Sequence, residues 1–246
     1  MPGLSLLFAG NTLLSAGLLF MIQPFVGKAL LPAFGGGATV WTAVMLFFQA
    51  ALLAGSLIFH LTTARLGPRL ASLVHVGLAV LGAAMLPRLP VFRETGAGGA
   101  FDVLATLALS YGPAMLAMGA NSAALQAWYA AAIGRAPWWL YAISNAGSLA
   151  GLLAYPLLVE PALALSDQGQ YWAWGFTLSA AGMALCAAIA WRAAPGPAEQ
   201  AQPEAPAEPL PWLSWITLAA LPSSLMLGAT EYITIVIAPL PLLWVL

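Results

Sequence analysis

The residues that could do chemistry are charged and amide side chains set inside long apolar stretches. Gln23 and Lys28 flank Pro24, Gln49 and His60 sit in a second apolar block, and Asn121 and Gln126 end a fourth. Ser144, Asn145 and Ser148 share one helical face, and Glu231 stands near the far end of a late block. A polar group in lipid is costly and faces a bundle interior or a water-filled cavity. Amides both donate and accept hydrogen bonds, and Lys28 and Glu231 carry opposite charges. The set Gln23, Lys28, Gln126, Asn145 and Glu231 therefore suits binding of a small polar or cationic solute. Each residue also has a structural reading. Lys28 would snorkel to the headgroups, Glu231 would sit at the interface, and the amides would bond neighbouring helices.

Bond-breaking chemistry has no such foothold. His60 and His75 have no carboxylate or thiol at ligand spacing, so no metal site is expected, and both read as helix-end or loop-facing histidines. Cys186, alone in an apolar stretch, reads as a packed helix residue. Gly35-Gly36-Gly37 is not followed by the Lys-Ser/Thr of a phosphate loop, and no hydrolase or zinc-protease signature occurs. No catalytic residue and no cofactor are expected. A net charge of −1 leaves no basic face for nucleic acid.

The elements that must hold these residues are membrane helices. Of 246 residues, 62% are hydrophobic and 6% charged, against about a quarter charged in soluble domains. Unbroken apolar blocks, rather than short alternating strands, point to an all-α polytopic bundle with the lipid bilayer as its partner. Seven spans are expected: about 4–22 (running on past Pro24 to about 31), 39–61, 70–86, 101–120 (extending to about 132), 139–159, 171–191 and 212–237. The stretch 87–100, with Arg88, Arg93, Glu94 and several glycines, reads as an aqueous loop. Residues 1–191 thus form a six-helix bundle. Residues 192–211, rich in proline, alanine and glutamate, form a linker. Residues 212–246 supply a seventh helix and the truncated start of an eighth, so a fragment of a longer protein is expected. The N-terminus lacks the basic region of a signal peptide and reads as a retained first helix. Most tryptophans fall near span ends, as an aromatic belt would place them. Gly147 and Gly151 form a GxxxG pair suited either to packing within the bundle or to a homo-oligomer interface.

Several segments together resemble the membrane half of bacterial fused major-facilitator/spermidine-synthase-like proteins. They are Leu19–Lys28 with Leu31–Gly36, Val40-Trp41, Phe47–Ala50, Leu125–Tyr129, Leu140–Ser148, Ala154–Leu157, Leu221–Gly228 and Pro241–Val245. The resemblance implies a major-facilitator-like first half with the start of a second half, in a bacterial inner membrane. It implies either transport or sensing of a small solute such as a polyamine, or a non-transporting anchor or scaffold for an aminopropyltransferase-like domain or partner. That soluble domain would use decarboxylated S-adenosylmethionine. This chain lacks its glycine-rich loop, so aminopropyl transfer is not carried over. The stretch Gly55–Arg69 loosely resembles the cytoplasmic loop between helices two and three of major facilitators, although Ala64 stands where an aspartate is usual. With the N-terminus cytoplasmic, Arg65, Arg69, Arg135 and Arg192 fall inside, and Lys28, Arg88 and Arg93 outside.

Overall fold

The computed structural model describes residues 2–96, 98–193 and 211–236, and among these the regular structure is helical throughout. The helices are α1 (Pro2–Phe34), α2 (Ala38–Met85), α3 (Ala100–Ile133), α4 (Trp139–Ala154), the single turn α5 (Glu160–Ala162), α6 (Leu165–Arg192) and α7 (Trp212–Val236). A π-helical stretch, Tyr155–Val159, joins α4 to α5. Six of the described helical stretches are long and apolar enough to cross a membrane. The chain divides into two compact units, Met1–Gly196 and Pro197–Leu246. The expected linker falls outside the described residues over 194–210, as does the expected eighth-helix start at 242–246.

The outside of the first unit is as oily as its inside. Leu46, Leu53, Leu73, Val80, Leu109, Leu149, Leu178 and Leu185 are all exposed, while Asn11, Thr12, Ser72, His75, Asn121 and Ser179 are buried. Water would penalise that arrangement, and a hydrocarbon solvent favours it. The described surface therefore fits a lipid bilayer.

α1 passes Pro24 and Pro32 without a break, so the first span is longer than a minimal crossing. α2 holds two of the expected spans. Residues 38–66 and 68–85 are separate helical arms joined at Gly67, whose φ of 81° and ψ of 166° only glycine adopts readily. Phe59 and His75 meet across the reversal with ring centroids 5.5 Å apart. The expected spans leave eight residues, 62–69, between them, whereas the helices run up to one glycine. Pro68 helps because proline suits the first turn of the second arm. α3 ends at Gly134 in the left-handed conformation (φ 77°), its N–H bonded to the Ala130 carbonyl.

Glycines set the closest crossings. Gly55 lies against the Leu116 backbone and Gly119 against Leu52, which joins the first arm of α2 to α3. Gly82 meets Ala114, bringing the second arm onto the same helix. Gly147 and Gly151 pack on Leu13 and Gly17 of α1, so this GxxxG pair is used within the chain. Trp128 and Trp172 are only 4% exposed and depart from the expected aromatic belt. The indole of Trp128 donates to Ser72 Oγ at 2.8 Å, and that of Trp172 to the Leu18 carbonyl at 2.9 Å.

The segment after α2 is not a free aqueous loop. The Val91, Arg93 and Thr95 N–H groups donate to Ser110 Oγ (2.9 Å), Thr106 Oγ1 (3.0 Å) and Asp102 Oδ1 (2.6 Å). Alternate residues of an extended strap thus meet side chains spaced four apart on α3. Rings of Phe92 and Phe34 lie 5.9 Å apart, tying the strap to the end of α1. In the second unit, α7 carries Pro222, and Thr217 and Ser223 hydroxyls donate to the Leu213 and Ala219 carbonyls one turn earlier.

Candidate functional site

Helix register fixes the depth of each candidate. α1 and α4 run parallel, because Leu13 faces Gly147, Gly17 faces Gly151, and Lys28 meets Glu160. Asn145 is therefore level with about residue 11 of α1, and Gln23 is level with Tyr155. At 1.5 Å rise per residue these two levels are ~18 Å apart. α3 runs against α1: Ser5 Oγ lies 3.0 Å from the Tyr129 hydroxyl and Phe8 packs edge-on to the same ring, while Tyr111, earlier in α3, packs on Trp172, whose indole bonds the Leu18 carbonyl further along α1. That places Gln126 at the depth of Asn145.

The candidates therefore form two layers. In one, Lys28 Nζ donates to Glu160 Oε1 at 2.7 Å, each side chain being about two-fifths exposed. Glu160 follows the π-helical stretch, where its N–H reaches back to the Tyr155 carbonyl. Pro156, which has no N–H to donate, leaves the Leu152 carbonyl without its α-helical bond at the start of this stretch. Gln23 is half-buried at the depth of Tyr155 and makes no hydrogen bond among the described residues. The buried Tyr155 hydroxyl is also without a partner among them. Unpaired polar atoms beside an ion pair at a π turn can take a hydrogen-bonding, positively charged ligand, which would compete with Lys28 for Glu160.

In the other layer, Gln126 is half-buried and donates to Ser122 Oγ at 3.1 Å. Asn145 is exposed and has no hydrogen-bond partner among the described residues. Ser148 returns its hydroxyl to the Ser144 carbonyl at 3.0 Å. Glu231 lies in α7, but its side chain falls outside the described residues. Within the first unit Lys28 pairs with Glu160, and how Lys28 stands to Glu231 lies outside the described residues. The expected fifth span stops at 159 and so leaves Glu160 outside it. The signal that could have found it is a carboxylate at the end of a span parallel to the one bearing Lys28.

His75 also departs from expectation. It is 2% exposed, well inside the second arm of α2, with Nε2 3.0 Å from Asn121 Oδ1. With the amide oriented so, Nε2 carries the hydrogen. Phe59 and Trp128 close around the imidazole, with centroids at 5.5 and 5.8 Å. This cluster clamps α2 to α3 rather than opening to solvent. His60 is exposed, in the last two turns of the first arm of α2. Between α1 and α6, Asn11 lies 3.2 Å from Ser179 Oγ. Turning its amide over lets it donate to Ser179 and accept from the Met183 N–H. Among the described residues no three His, Cys, Asp or Glu side chains come together as a metal site would need.

Neither family models, curated proteins nor solved structures offer a match to this chain.

Proposed function

We propose that the chain is the membrane domain of a bacterial spermidine-synthase-like fusion, with a major-facilitator-like first half, and that it moves or senses a small cationic solute such as a polyamine. The observation that carries this reading is the polar flank of α4. Leu140, Gly147 and Gly151 form the buried side of that helix, while Asn145 is exposed without a partner among the described residues. An unpaired amide facing hydrocarbon is unfavourable, so this flank lines a watery path or meets another part of the protein. The resemblance of Leu19–Lys28, Leu125–Tyr129 and Leu140–Ser148 to the fusion family supports the same reading. The Lys28–Glu160 pair gives an ammonium solute a carboxylate to exchange onto. A midplane path would then run between the Gln23 layer and the Gln126–Asn145 layer, and alternating access would open it to each side in turn.

The inner membrane belongs to this reading through the resemblance, and the charge distribution supports a cytoplasmic N-terminus. The α1 start, the Gly67 reversal, the α3–α4 turn and the α6 end lie at one end of the first unit, joined by the Ser5–Tyr129 and Arg69–Trp191 contacts. That end holds Arg65, Arg69, Arg135 and Arg192, with no carboxylate among the described residues. The opposite end mixes Lys28, Arg88 and Arg93 with Glu94, Asp102, Glu160 and Asp167. The positive-inside rule puts the arginine end in the cytoplasm.

The test is uptake of labelled spermidine into proteoliposomes holding the full chain. Uptake above empty vesicles, lost in Glu160→Gln and Asn145→Ala with the fold retained, is the expected result. The rival reading is a non-transporting anchor, on which this chain carries no catalytic centre and only fixes a soluble partner. No uptake or binding, with these substitutions changing stability alone, would establish the anchor instead.

A further inference from the structure

A cavity of about 290 Å³ opens at the arginine end, between the second arm of α2 and the last turns of α6. Leu73 and Val76 line one side, Ala184 and Ala188 the other, and Trp191 and Arg192 its mouth. The alanines explain why it exists, because short side chains on α6 leave the space beside Leu73 and Val76 unfilled. The floor is therefore apolar. The mouth is not: the Arg69 guanidinium lies over the Trp191 ring, 6.0 Å from its centroid. Arg69 and Arg192 are both exposed, and neither forms an ion pair among the described residues. Arg65 and Arg135 add charge at the same end.

We propose that this groove seats an anionic phospholipid, its phosphate held by Arg69 and Arg192 and one acyl chain laid along the alanine floor. Guanidinium groups bind phosphate oxygens through paired hydrogen bonds. An interfacial tryptophan sits at headgroup depth, and basic pockets between membrane helices suit acidic headgroups. The lining is almost wholly apolar, which suits an acyl segment and not a polar solute. The inference depends on the helices lying in a membrane and not on whether the bundle transports anything.

Native mass spectrometry of the full chain in mild detergent, with phosphatidylglycerol and phosphatidylcholine of equal acyl chains, tests it. The wild type should retain phosphatidylglycerol in preference by roughly 30-fold, as two arginines near a charged headgroup would give. Arg69→Gln with Arg192→Gln should bring the preference close to unity. Arg135→Gln, at the same end but away from the groove, should leave most of it. Ala188→Trp should lower retention of both lipids by filling the trough. Excess glycerol 3-phosphate should not displace the bound lipid. Equal retention of the two lipids by wild type overturns the proposal. So does an Arg135→Gln loss as large as that of the pair, which would mean diffuse surface charge. Displacement by glycerol 3-phosphate overturns it too, in favour of a free-phosphate site. Should the double variant fail to fold, the wild-type competition and Ala188→Trp decide the matter.

Discussion

One methyl group decides whether the bundle can close at Gly55. Alanine is favoured over glycine in a helix by roughly 1 kcal/mol, so propensity alone makes Gly55→Ala stabilising. The Cβ would instead run into the Leu116 carbonyl on α3, a backbone atom that cannot swing aside. Gly55→Ala is expected to lower stability by about 1–3 kcal/mol, the usual result of overpacking, read as a lower melting temperature in detergent. Gly77→Ala, in the second arm of α2 with open space where its Cβ would go, is expected to hold or raise it. Equal effects at the two sites would show that propensity, not close approach, governs these helices. Histidine 75 poses the opposite problem, a polar group that must keep its partner. Asn121→Leu leaves the imidazole N–H unpaired in the core, whereas His75→Phe with Asn121→Leu removes both ends. The double variant should be less damaged than the two singles summed, with a coupling of roughly 0.5–2 kcal/mol in a detergent unfolding cycle. Additivity would mean that the 3.0 Å contact contributes nothing. A single sequence announces that Asn121 and Gln126 are polar in an apolar setting. It does not say that His75, 46 residues away, is the partner, because that pairing is made by helix packing and not by spacing. Lys28 shows the same limit: its charge is plain in the sequence, but its choice of Glu160 depends on α1 and α4 running parallel.

At the scale of elements, hydropathy reads well what it measures. The expected spans at 39–61 and 70–86 both exist, and α3 ends at Ile133, beside the expected limit of about 132. Apolar length does not encode how sharply two helices are joined, so the one-residue reversal at Gly67 was illegible. The strap after α2 was hidden for a related reason. Its glycines and charges resemble those of any loop, while the groups that hold it, Asp102, Thr106 and Ser110, belong to a helix. α3 is 34 residues long, or ~50 Å at helical rise, against a hydrocarbon core of about 30 Å. Its first turns can therefore stand at the interface and offer hydroxyls to the strap backbone. Without them the N–H groups of Val91 and Arg93 would lie against an apolar helix unsatisfied. Thr106→Val with Ser110→Ala is expected to raise hydrogen exchange at 91 and 93 about five- to tenfold, since each lost bond is worth about 1 kcal/mol. Exchange elsewhere in α3 should stay near wild type. Unchanged exchange at 91 and 93 would mean that the strap is held by its apolar side chains, such as Phe92 on Phe34, and not by the ladder.

For the whole molecule, charge says more about sidedness once the chain is folded than it does along the sequence. Counted by loops, four arginines against three basic residues is a slight bias. Folding adds that the three share their end with Glu94, Asp102, Glu160 and Asp167, while the four have no carboxylate beside them among the described residues. Topology follows basic residues near the span ends far more than acidic ones, but the acidic neighbours deepen the contrast by pairing with them, as Glu160 does with Lys28. The expected outcome is a cytoplasmic Arg135 turn and a strap on the far side of the membrane. Two single-cysteine chains check it in cells, built on Cys186→Ala so that the buried native thiol gives no background. Glu94→Cys should react with a membrane-impermeant maleimide in intact cells. Ala136→Cys should react only once the membrane is opened. Because residues 94 and 136 lie at opposite ends of α3, a protein that crosses the bilayer must label them differently. The reverse pattern would put the arginine end outside and remove the cytoplasmic leaflet as the source of the phospholipid proposed between Arg69 and Arg192. Labelling of both in intact cells would mean that α3 does not cross the membrane at all, and the two polar layers along α1 and α4 could then not form a path from one side to the other.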